Sequence, residues 1–494
     1  MTLDFPLWLR ATHFFNLLFL SLLMRSGLEI LSAHPKFYWN DDCTPGSEWL
    51  SFSKRHKPDT KLWTASDEET SWSSWIALPG HENLGLGRHW HFLADAGWLA
   101  TGLVYVVMLF ATAEWHRLIP TSWQIAPAAW HTLLRYATLH IVETPGAYNP
   151  LEQLSYAGVV FLLAPLSIAT GIAISPAIAA RFPRYLRIFH GRQSARSIHF
   201  LCLCAFAVFF VTHVTMVALH GFRSQWAMIV LGETSHPDLN RTLLVGLAGI
   251  AVIVVIHVVA TQCSLRRPRV VQRVTEAIMD PLRRRLFGHE TSVQAYAPDD
   301  ISASFWVNGR PPAEDAYLAL ARHQFVDYRL DVGGLVETPL HVSLTDLRGM
   351  PKHTQITKHC CIQGWSGVAE WGGVSLRHII GLCRPLPSAR FILFHAYDNK
   401  STSEPHSHGS GYFYGTIGIE LANDKQTMLA YEMNGEPLPI PHGAPLRLRV
   451  ETQLGFTMVK YIRAIEFIDD YRAIGEGQGG WREDHQYFSQ EAGI

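Results

Sequence analysis

Two adjacent cysteines, Cys360 and Cys361, lie in a segment whose other residues are typical of a polar turn. The segment reads His-Cys-Cys-Ile-Gln-Gly-Trp from His359 to Trp365, and Trp-Gly-Gly follows at 371–373. A thiolate is a soft ligand that suits soft and redox-active metals. A buried, inert thiol is the competing interpretation of Cys361, and the segment taken alone favours it.

Histidines inside long apolar stretches form a second set of candidate functional residues. Ionisable side chains are rare in membrane segments and indicate function by default, although a single histidine there is more often packed or hydrogen-bonded. His199 and His213 are 14 residues apart. On an α-helix this spacing returns to within about 40° of the same face and separates them by roughly 21 Å along the axis. One helix could therefore ligate two haems, one near each membrane surface.

Depth along the apolar stretches pairs these two histidines with two others. His91 lies near the start of the second stretch, on the membrane side where His199 lies. His13 lies about one turn inside the first stretch, at the depth of His213. We therefore predict His91/His199 and His13/His213 as two pairs of haem ligands.

Three further ionisable residues leave alternatives open. His220 lies on the same helical face as His213, and His257 lies inside the fifth apolar stretch, so either could replace an assigned ligand. Asp95, one turn beyond His91, could relay protons to a quinone. An equally good interpretation is that Asp95 orients His91 or neighbours a haem propionate.

The composition divides the chain into two parts. Hydrophobic residues make up 48% and charged residues 17%, and the long apolar runs lie almost entirely in the first 263 residues. A run of about 20 apolar residues can cross a bilayer. Such runs occur near 9–31, 90–111, 154–174, 198–219 and 242–262. The stretch 127–141 is too short and polar and predicts an interfacial helix.

Local charge indicates the orientation of these spans. The arginine-rich connections 176–197 and 264–285 lie on the same side of a layout with five membrane helices. The positive-inside rule then places the N-terminus outside and the part after 263 in the cytoplasm of a bacterium. Residues 1–13 contain neither a twin-arginine motif nor a cleavable signal layout, which agrees. The net charge of −1 offers no bulk attraction to nucleic acid, and no partner of that kind is expected.

The membrane half resembles a known family at its histidines. Arg10-x-x-His13, Gly87-Arg88-x-x-His91 and Arg196-x-x-His199 are similar to segments of the di-haem cytochrome b of bacterial hydrogenases and formate dehydrogenases. The resemblance covers roughly residues 5–262. It implies two b-type haems and electron exchange with quinone or quinol.

The second half resembles the sulfite-oxidase family of molybdenum enzymes over about 300–494. Three motifs show the resemblance: the cysteine segment, Asn-Gly-Glu-Pro-Leu-Pro at 434–439 and His-Gly-Ala-Pro-Leu-Arg at 442–447. The resemblance implies molybdopterin, with Cys361 rather than Cys360 as molybdenum ligand, because the family ligand directly precedes the apolar residue of Cys-x-x-Gly-Trp. With these motifs the metal-ligand interpretation replaces the inert thiol.

Further residues carry over from this resemblance by their place in the motifs. The resemblance implies pterin contacts, phosphate ligands and an active-site tyrosine that could donate a hydrogen bond. These are Phe305, Trp306 and Asn308 beside the pterin, His442 and Arg447 at its phosphate, Met458, Val459 and Lys460 on a second phosphate-side strand, and the tyrosine Tyr414. A phosphate dianion is best held by a guanidinium and an ammonium together.

The departures from the family bear on the substrate. Sulfite oxidases carry arginines shortly after the ligand cysteine, whereas this chain has Trp-Ser-Gly-Val at 365–368. A threonine typical of the bacterial sulfoxide-reductase branch is Ala396 here. Five histidines could line the pocket as proton donors, although most are better described as surface or loop residues: His353, His359, His395, His406 and His408.

Together these features predict a multi-pass protein of the bacterial inner membrane. We expect an all-α bundle of about five transmembrane helices at 1–263, a basic linker at 264–299 and an α+β molybdopterin domain at 300–494 that faces the cytoplasm. Electrons would pass between quinone and molybdenum through two haems, the His91/His199 haem lying nearer the molybdenum, to reduce an S- or N-oxide. The alternatives are a sulfite-type dehydrogenase, or an electron conduit whose soluble domain docks or senses a partner.

Overall fold

Helices make up the first half of the chain, and mixed sheets with short helices make up the second. The structure is a computed structural model that describes residues 5–53, 62–142, 148–232, 238–287, 294–404 and 409–490. The helices of the first half are α1 Leu7–Ser32, α2 Leu84–Ala111, α3 Ile125–Ala137, α4 Pro150–Gly158, α5 Ala164–Ile174, α6 Pro176–Arg181, α7 Pro183–Ile188, α8 Arg192–Leu219, α9 Phe222–Leu231, α10 Leu239–Arg266 and α11 Pro268–Phe287.

Five helices among the described residues are long and apolar enough to cross a membrane, as the sequence predicted. They are α1, α2, α8, α10 and the segment Pro150–Ile174, in which a π-helical turn joins α4 to α5. Their outward faces carry apolar side chains such as Val252, Val255 and Val259 of α10, each about half exposed. A continuous apolar surface of this size is stable only in contact with lipid or another protein. At 13 residues, α3 is too short to cross.

Close packing of α1 against α2 positions the second helix and its histidine. Asn83 caps α2 by accepting a hydrogen bond from the Leu86 N–H, and its own N–H donates to the Glu29 carboxyl of α1 at 2.5 Å. A Cβ on Gly87 would lie 2.7 Å from Glu29 Cγ. Gly87 therefore permits the contact that fixes the start of α2, one turn before His91.

The second half is an α+β domain, as predicted. Its strands follow a short hairpin of β1 Lys36–Phe37 and β2 Leu50–Ser51, and they are β3 Arg329–Gly334, β4 Leu340–Ser343, β5 Lys352–Cys360, β6 Ser366–Ser375, β7 Phe391–Asn399, β8 Tyr412–Gly418, β9 Met428–Met433, β10 Glu436–Pro437, β11 Arg447–Arg449 and β12 Ile462–Ile468. Its helices are α12 Asp315–Arg322, α13 Leu344–Gly349, α14 Leu376–Cys383, α15 Lys400–Ser403, α16 Ile419–Ala422 and α17 Trp481–Gln486.

Two five-stranded sheets build this domain. One has the order β10-β9-β6-β5, with β11 also pairing with β9, and the other has the order β4-β3-β12-β7-β8. All pairs are antiparallel except β12 with β3. Fully buried side chains of both sheets share one core, for example Leu429 and Leu448 from the first sheet with Leu330 and Ile465 from the second. Burial of these apolar surfaces provides the main driving force for the fold.

The two halves of the chain contact each other on one side of the helix bundle. The loop between α1 and α2 packs on the α+β domain, where Lys358 of β5 forms an ion pair with Asp41. The C-terminal end of α17 packs on α2, where a Cβ on Gly85 would lie 2.1 Å from Gln486 O. The boundary expected at residue 263 falls inside α10, which continues to Arg266.

Candidate active site and metal centres

Cys361 lies in a tight turn between β5 and β6. Its N–H donates to Trp365 O at 3.0 Å, and its carbonyl accepts from the Gly364 N–H at 3.1 Å. Gly364 has a φ of 120°, which L side chains rarely adopt, so the glycine of the sequence motif closes the turn. The cysteine itself is 1% exposed.

Polar side chains surround the Cys361 sulfur. Asn308 Nδ2 lies 3.4 Å from Sγ, and Gln363 Oε1 lies 3.5 Å from it. Burial raises the pKa of Cys361 to about 11, although the backbone N–H of Gln363 opposes the shift. A thiolate at this position therefore requires a bound cation, and a coordinated metal ion deprotonates a thiol outright.

A cavity of about 50 Å³ opens beside this turn. Seven of the eight residues that the resemblance assigned to the cofactor line it: Phe305, Trp306, Asn308, His442, Arg447, Met458 and Lys460. The eighth, Val459, packs in the core between the sheets instead. Residues distant in the sequence therefore meet around one cavity next to Cys361.

Two cations in the cavity lack a bound carboxylate among the described residues. Arg447 donates to His442 O at 3.0 Å and has an unpaired Nε, while Lys460 donates to Asn308 O at 2.6 Å. Burial, then the charge of Arg447, lowers the pKa of Lys460 to about 7, and the same two causes lower the pKa of His442 to about 3. Uncompensated buried positive charge fits a phosphate group, so these residues fit the pterin phosphate of the expected cofactor.

Sequence reasoning missed several other residues of the cavity. Arg482 reaches it from α17, more than a hundred residues after Cys361, and its guanidinium donates to Gln486 Oε1 at 2.6 Å. Lys400 also lines the cavity, but it is paired with Asp398 at 2.8 Å. No local motif indicated either residue, because only the tertiary fold brings α15 and α17 to this place.

Tyr414 is not brought to the cavity. Its hydroxyl donates a short hydrogen bond to the Asp484 carboxylate, and burial together with Asp484 raises its pKa. The neighbouring residue Phe413 lines the cavity instead. In this arrangement Tyr414 joins β8 to α17, the helix that carries Arg482.

Of the three candidate histidines that the structure describes, one lines the cavity. His359 is buried, its Nδ1 accepts from Arg449 at 3.0 Å, and burial with that arginine holds its pKa well below the usual range, so it is neutral. Elsewhere, His395 pairs with Glu466, and His353 contacts Gln355. His406 and His408 lie outside the described residues.

The two predicted histidine pairs face each other inside the helix bundle. The ring centroids of His91 and His199 are 6.5 Å apart, and those of His13 and His213 are 6.2 Å apart. A metal about 2 Å from one nitrogen of each imidazole requires centroids roughly 6 Å apart. Both pairs therefore have the spacing of a bis-histidine site.

Hydrogen bonds orient the rings of the first pair. Nδ1 of His91 lies 3.0 Å from Ser26 Oγ, and Nδ1 of His199 lies 3.0 Å from Ser167 O. Such bonds leave Nε2 available to a metal and fix the ring. A Cβ on Gly171 would lie 3.3 Å from His199 Cε1, so a glycine keeps the side of this ring open.

The two alternative histidines use both of their ring nitrogens within the protein. His257 contacts Ser21 at 2.9 Å through Nε2 and Arg25 at 2.8 Å through Nδ1. His220 contacts Met216 O at 2.9 Å through Nδ1 and Tyr136 at 3.0 Å through Nε2. Neither offers a free nitrogen, which favours the original pairs.

This fold and these sites define a class, a membrane cytochrome joined to a molybdopterin-binding oxidoreductase domain. Residues 4–230 match the family model for prokaryotic cytochrome b561, and residues 318–473 match that for the oxidoreductase molybdopterin binding domain. The chain therefore carries these two domains in this order, which confirms the fusion predicted from the sequence. Its cofactor classes are haem b and molybdenum-molybdopterin.

Known relatives match part of the chain. It is 31% identical over 160 residues to the putative protein-methionine-sulfoxide reductase subunit YedZ1 of Azospira oryzae, covering 32% of this chain and 54% of that protein. It is 31% identical over 152 residues to the protein-methionine-sulfoxide reductase catalytic subunit MsrP of Campylobacter jejuni, covering 28% and 49%. The chain thus spans about half the length of these curated relatives. The sulfane dehydrogenase SoxCD of Paracoccus pantotrophus is 25% identical over 32% of this chain and 45% of its own, with a TM-score of 0.26, too low to define a shared fold.

Proposed function

We propose that this protein is a membrane-bound molybdenum oxidoreductase that takes electrons from quinol through two b-type haems and reduces an S-oxide or N-oxide. The observation that carries the proposal is the contact between the Cys361 turn and α8. Gly364 O accepts from Arg192 at 3.2 Å and from Gln193 at 2.9 Å. His199 follows seven residues after Arg192, about 10 Å farther along the helix axis.

The cavity residues have distinct roles in this function. Cys361 would ligate molybdenum, Arg447, Lys460 and His442 would hold the pterin phosphate, and the aromatic side chains of Phe305 and Trp306 would contact the pterin. When bound, the cofactor supplies oxygen-atom transfer coupled to two electrons. The chain positions and shields it, because a buried cationic cavity excludes water and holds the anion.

Imidazole pairs hold the two haems in the proposal. His91 and His199 would hold the haem nearer to the molybdenum, and His13 and His213 would hold the haem near the opposite surface. Aromatic contacts connect the halves, since the rings of His34 and Trp306 lie 5.6 Å apart. Arg196, one turn before His199, donates to His34 O at 2.5 Å.

A sulfoxide suits the remaining features of the cavity. Reduction of a sulfoxide consumes two electrons and two protons and yields a sulfide and water. Phe413 and Phe456 offer apolar contacts to its substituents, and Arg482 offers a hydrogen bond to its oxygen, which carries partial negative charge. The names of the relatives, which are methionine sulfoxide reductase subunits, support the same substrate class.

A sulfite-type dehydrogenase is the competing function, and Arg482 is the observation that favours it. A guanidinium can bind an oxyanion such as sulfite. The two functions differ in electron direction. Quinol-dependent loss of a sulfoxide supports the reductase, and sulfite-dependent reduction of the haems supports the dehydrogenase.

The molybdopterin domain faces the cytoplasm in this proposal. Arg181, Arg184 and Arg187 lie on that side of the membrane, and the arginine-rich α11 follows α10 there. Arg192 and Arg196 are left out of this charge argument, because both donate hydrogen bonds to backbone carbonyls inside the protein. A reporter fused to the C-terminus that is active only outside the membrane would overturn the orientation.

The first test is metal and haem analysis of the detergent-purified protein. We expect about one molybdenum and two b-type haems per chain, followed by oxidation of reduced haem on addition of methionine sulfoxide. Haem without molybdenum would support the electron conduit with a docking domain instead. Arg482→Met should weaken apparent sulfoxide affinity while the metal content stays the same.

A further inference from the structure

The loop between α1 and α2 belongs to the cytochrome half, yet it contacts the segment beside the cavity. Ala65 N–H donates to Val307 O at 2.7 Å, and Asp67 pairs with Arg310 at 2.6 Å. Asp67 also accepts from the Thr64 N–H and hydroxyl in a capping box. The turn that begins at Thr64 is therefore rigidly attached to the cavity segment at 305–310.

Glu69 follows this turn directly and is held from both sides. Its own N–H donates to Ser66 O at 3.4 Å, and the next residue, Thr70, donates to Ser32 O at the end of α1 at 2.9 Å. The Glu69 carboxylate accepts a short hydrogen bond from Gln363 Nε2. A residue of the cytochrome half thus contacts the cysteine turn of the other half.

Gln363 lies between Glu69 and the cysteine and contacts both. Its Oε1 accepts from Trp365 Nε1 at 3.2 Å and lies 3.5 Å from Cys361 Sγ. An indole only donates, so the Gln363 oxygen faces Trp365 and the amide N–H is left for the Glu69 carboxyl. The amide oxygen, not the amide N–H, consequently faces the sulfur.

We propose that Glu69 is a positioning residue of the molybdenum site, which the cytochrome half contributes to hold the Gln363 amide oxygen against the sulfur of Cys361. The inference rests on the proposed function, because it takes Cys361 as the molybdenum ligand. A carbonyl dipole directed at a ligand sulfur favours the oxidised centre, whereas an N–H donor to that sulfur favours the reduced one. Without Glu69 the amide is held by Trp365 alone, so its oxygen is less firmly fixed against the sulfur and the reduction potential moves upward.

The test is a redox titration of purified full-length protein, followed by the Mo(V) electron paramagnetic resonance signal. In Glu69→Ala the potential should shift upward and the signal should change shape, with haem content unchanged. Glu69→Gln retains an acceptor for Gln363 and should restore both to the wild-type values. Glu48→Gln removes a negative charge from the same loop, where Glu48 pairs with Lys36, and should leave both unchanged.

Each other outcome contradicts the positioning role. Equal shifts in Glu69→Gln and Glu69→Ala would make the effect one of charge alone. An unchanged signal and potential in Glu69→Ala, at normal molybdenum content, would leave Glu69 with a role in packing only. Absence of molybdenum from the wild-type protein would instead refute the proposed function, so the two failures are distinguishable.

Discussion

The backbone carbonyl of Gly364 accepts a hydrogen bond from the Gln193 side chain at 2.9 Å. Gly364 closes the turn that holds Cys361, and Gln193 lies in the first turn of α8, the helix that carries His199 and His213. One contact therefore joins the turn of the candidate molybdenum ligand to the helix that carries one member of each histidine pair. In the proposed function, electron transfer between the centres depends on this contact.

Removal of this contact should slow electron transfer without loss of cofactors. Gln193→Ala combined with Arg192→Ala removes both side-chain hydrogen bonds to Gly364 O, worth about 1 kcal/mol each, and also the bond from Arg192 to Ile174 O. We expect severalfold slower oxidation of pre-reduced haem by sulfoxide in a stopped-flow measurement. Gln153→Ala, at a distant exposed site bonded to His116 O, is the matched control. Wild-type rates in the double variant would exclude a role for this contact.

Cys361 and its neighbour should differ sharply on substitution. Cys361→Ser replaces the soft ligand, so sulfoxide-dependent haem oxidation should fall to background and the Mo(V) signal should change, while haem absorbance persists. Cys360→Ser should keep the sulfoxide-dependent haem oxidation and the Mo(V) signal of the wild type. Full activity in Cys361→Ser would reject the catalytic role and favour the conduit.

The histidine pairs predict haem stoichiometry. His199→Ala removes one of the two imidazoles at its site, so the haem content per chain should fall from two to one. The pyridine haemochrome assay measures the haem, which is then expressed relative to the molybdenum content of the same sample. His220→Ala and His257→Ala should retain two haems, because their ring nitrogens contact protein groups. Loss of a haem in either of these controls, with two retained in His13→Ala, would reassign the second pair.

Lys460 predicts a pH-dependent effect of anions on the cofactor-free protein. Its pKa is about 7 in the folded state, and lysine has a pKa of about 10.4 when unfolded, so the unfolded state binds more protons between these pH values. The free energy of unfolding therefore rises with pH between about 7 and 10. Below pH 7 the buried lysine destabilises the folded protein by the full penalty, at most roughly 5 kcal/mol. Sulfate, a dianion throughout, should raise the melting temperature more at pH 6 than at pH 9. Lys460→Met should abolish that difference, and an equal effect at both pH values would contradict the prediction.

Tyr414 should prove structural. Tyr414→Phe removes its bond to the Asp484 carboxylate, which is worth about 1.5–3 kcal/mol. We expect a lower melting temperature and an unchanged turnover number at saturating sulfoxide. A large fall in turnover with unchanged stability would restore Tyr414 as the catalytic hydrogen-bond donor that the family resemblance implied.

Local patterns were sufficient for much of this protein. The five spans followed from apolar runs of membrane length, and the cytochrome–molybdopterin fusion followed from motifs that the family matches confirm. The pairing of His91 with His199 required only depth along straight helices, since α-helical rise converts residue number into height. Seven residues that line the cavity followed from short motifs, because each motif is a turn or strand end with its own backbone geometry.

Contacts between distant segments could not be predicted from the sequence. Arg482, Glu69 and Gln193 come from three elements that no motif links to Cys361, and they meet only when both halves of the chain are packed. Tyr414 was misleading for the same reason, since its neighbour Phe413 has the opposite side-chain direction on β8, and the sheet decides which of the two faces the cavity. The sequence by itself determined the elements and the chemical groups, because those depend on near neighbours along the chain. The tertiary structure alone decided which groups surround the sulfur and how the halves join, because burial and hydrogen bonding depend on neighbours in space.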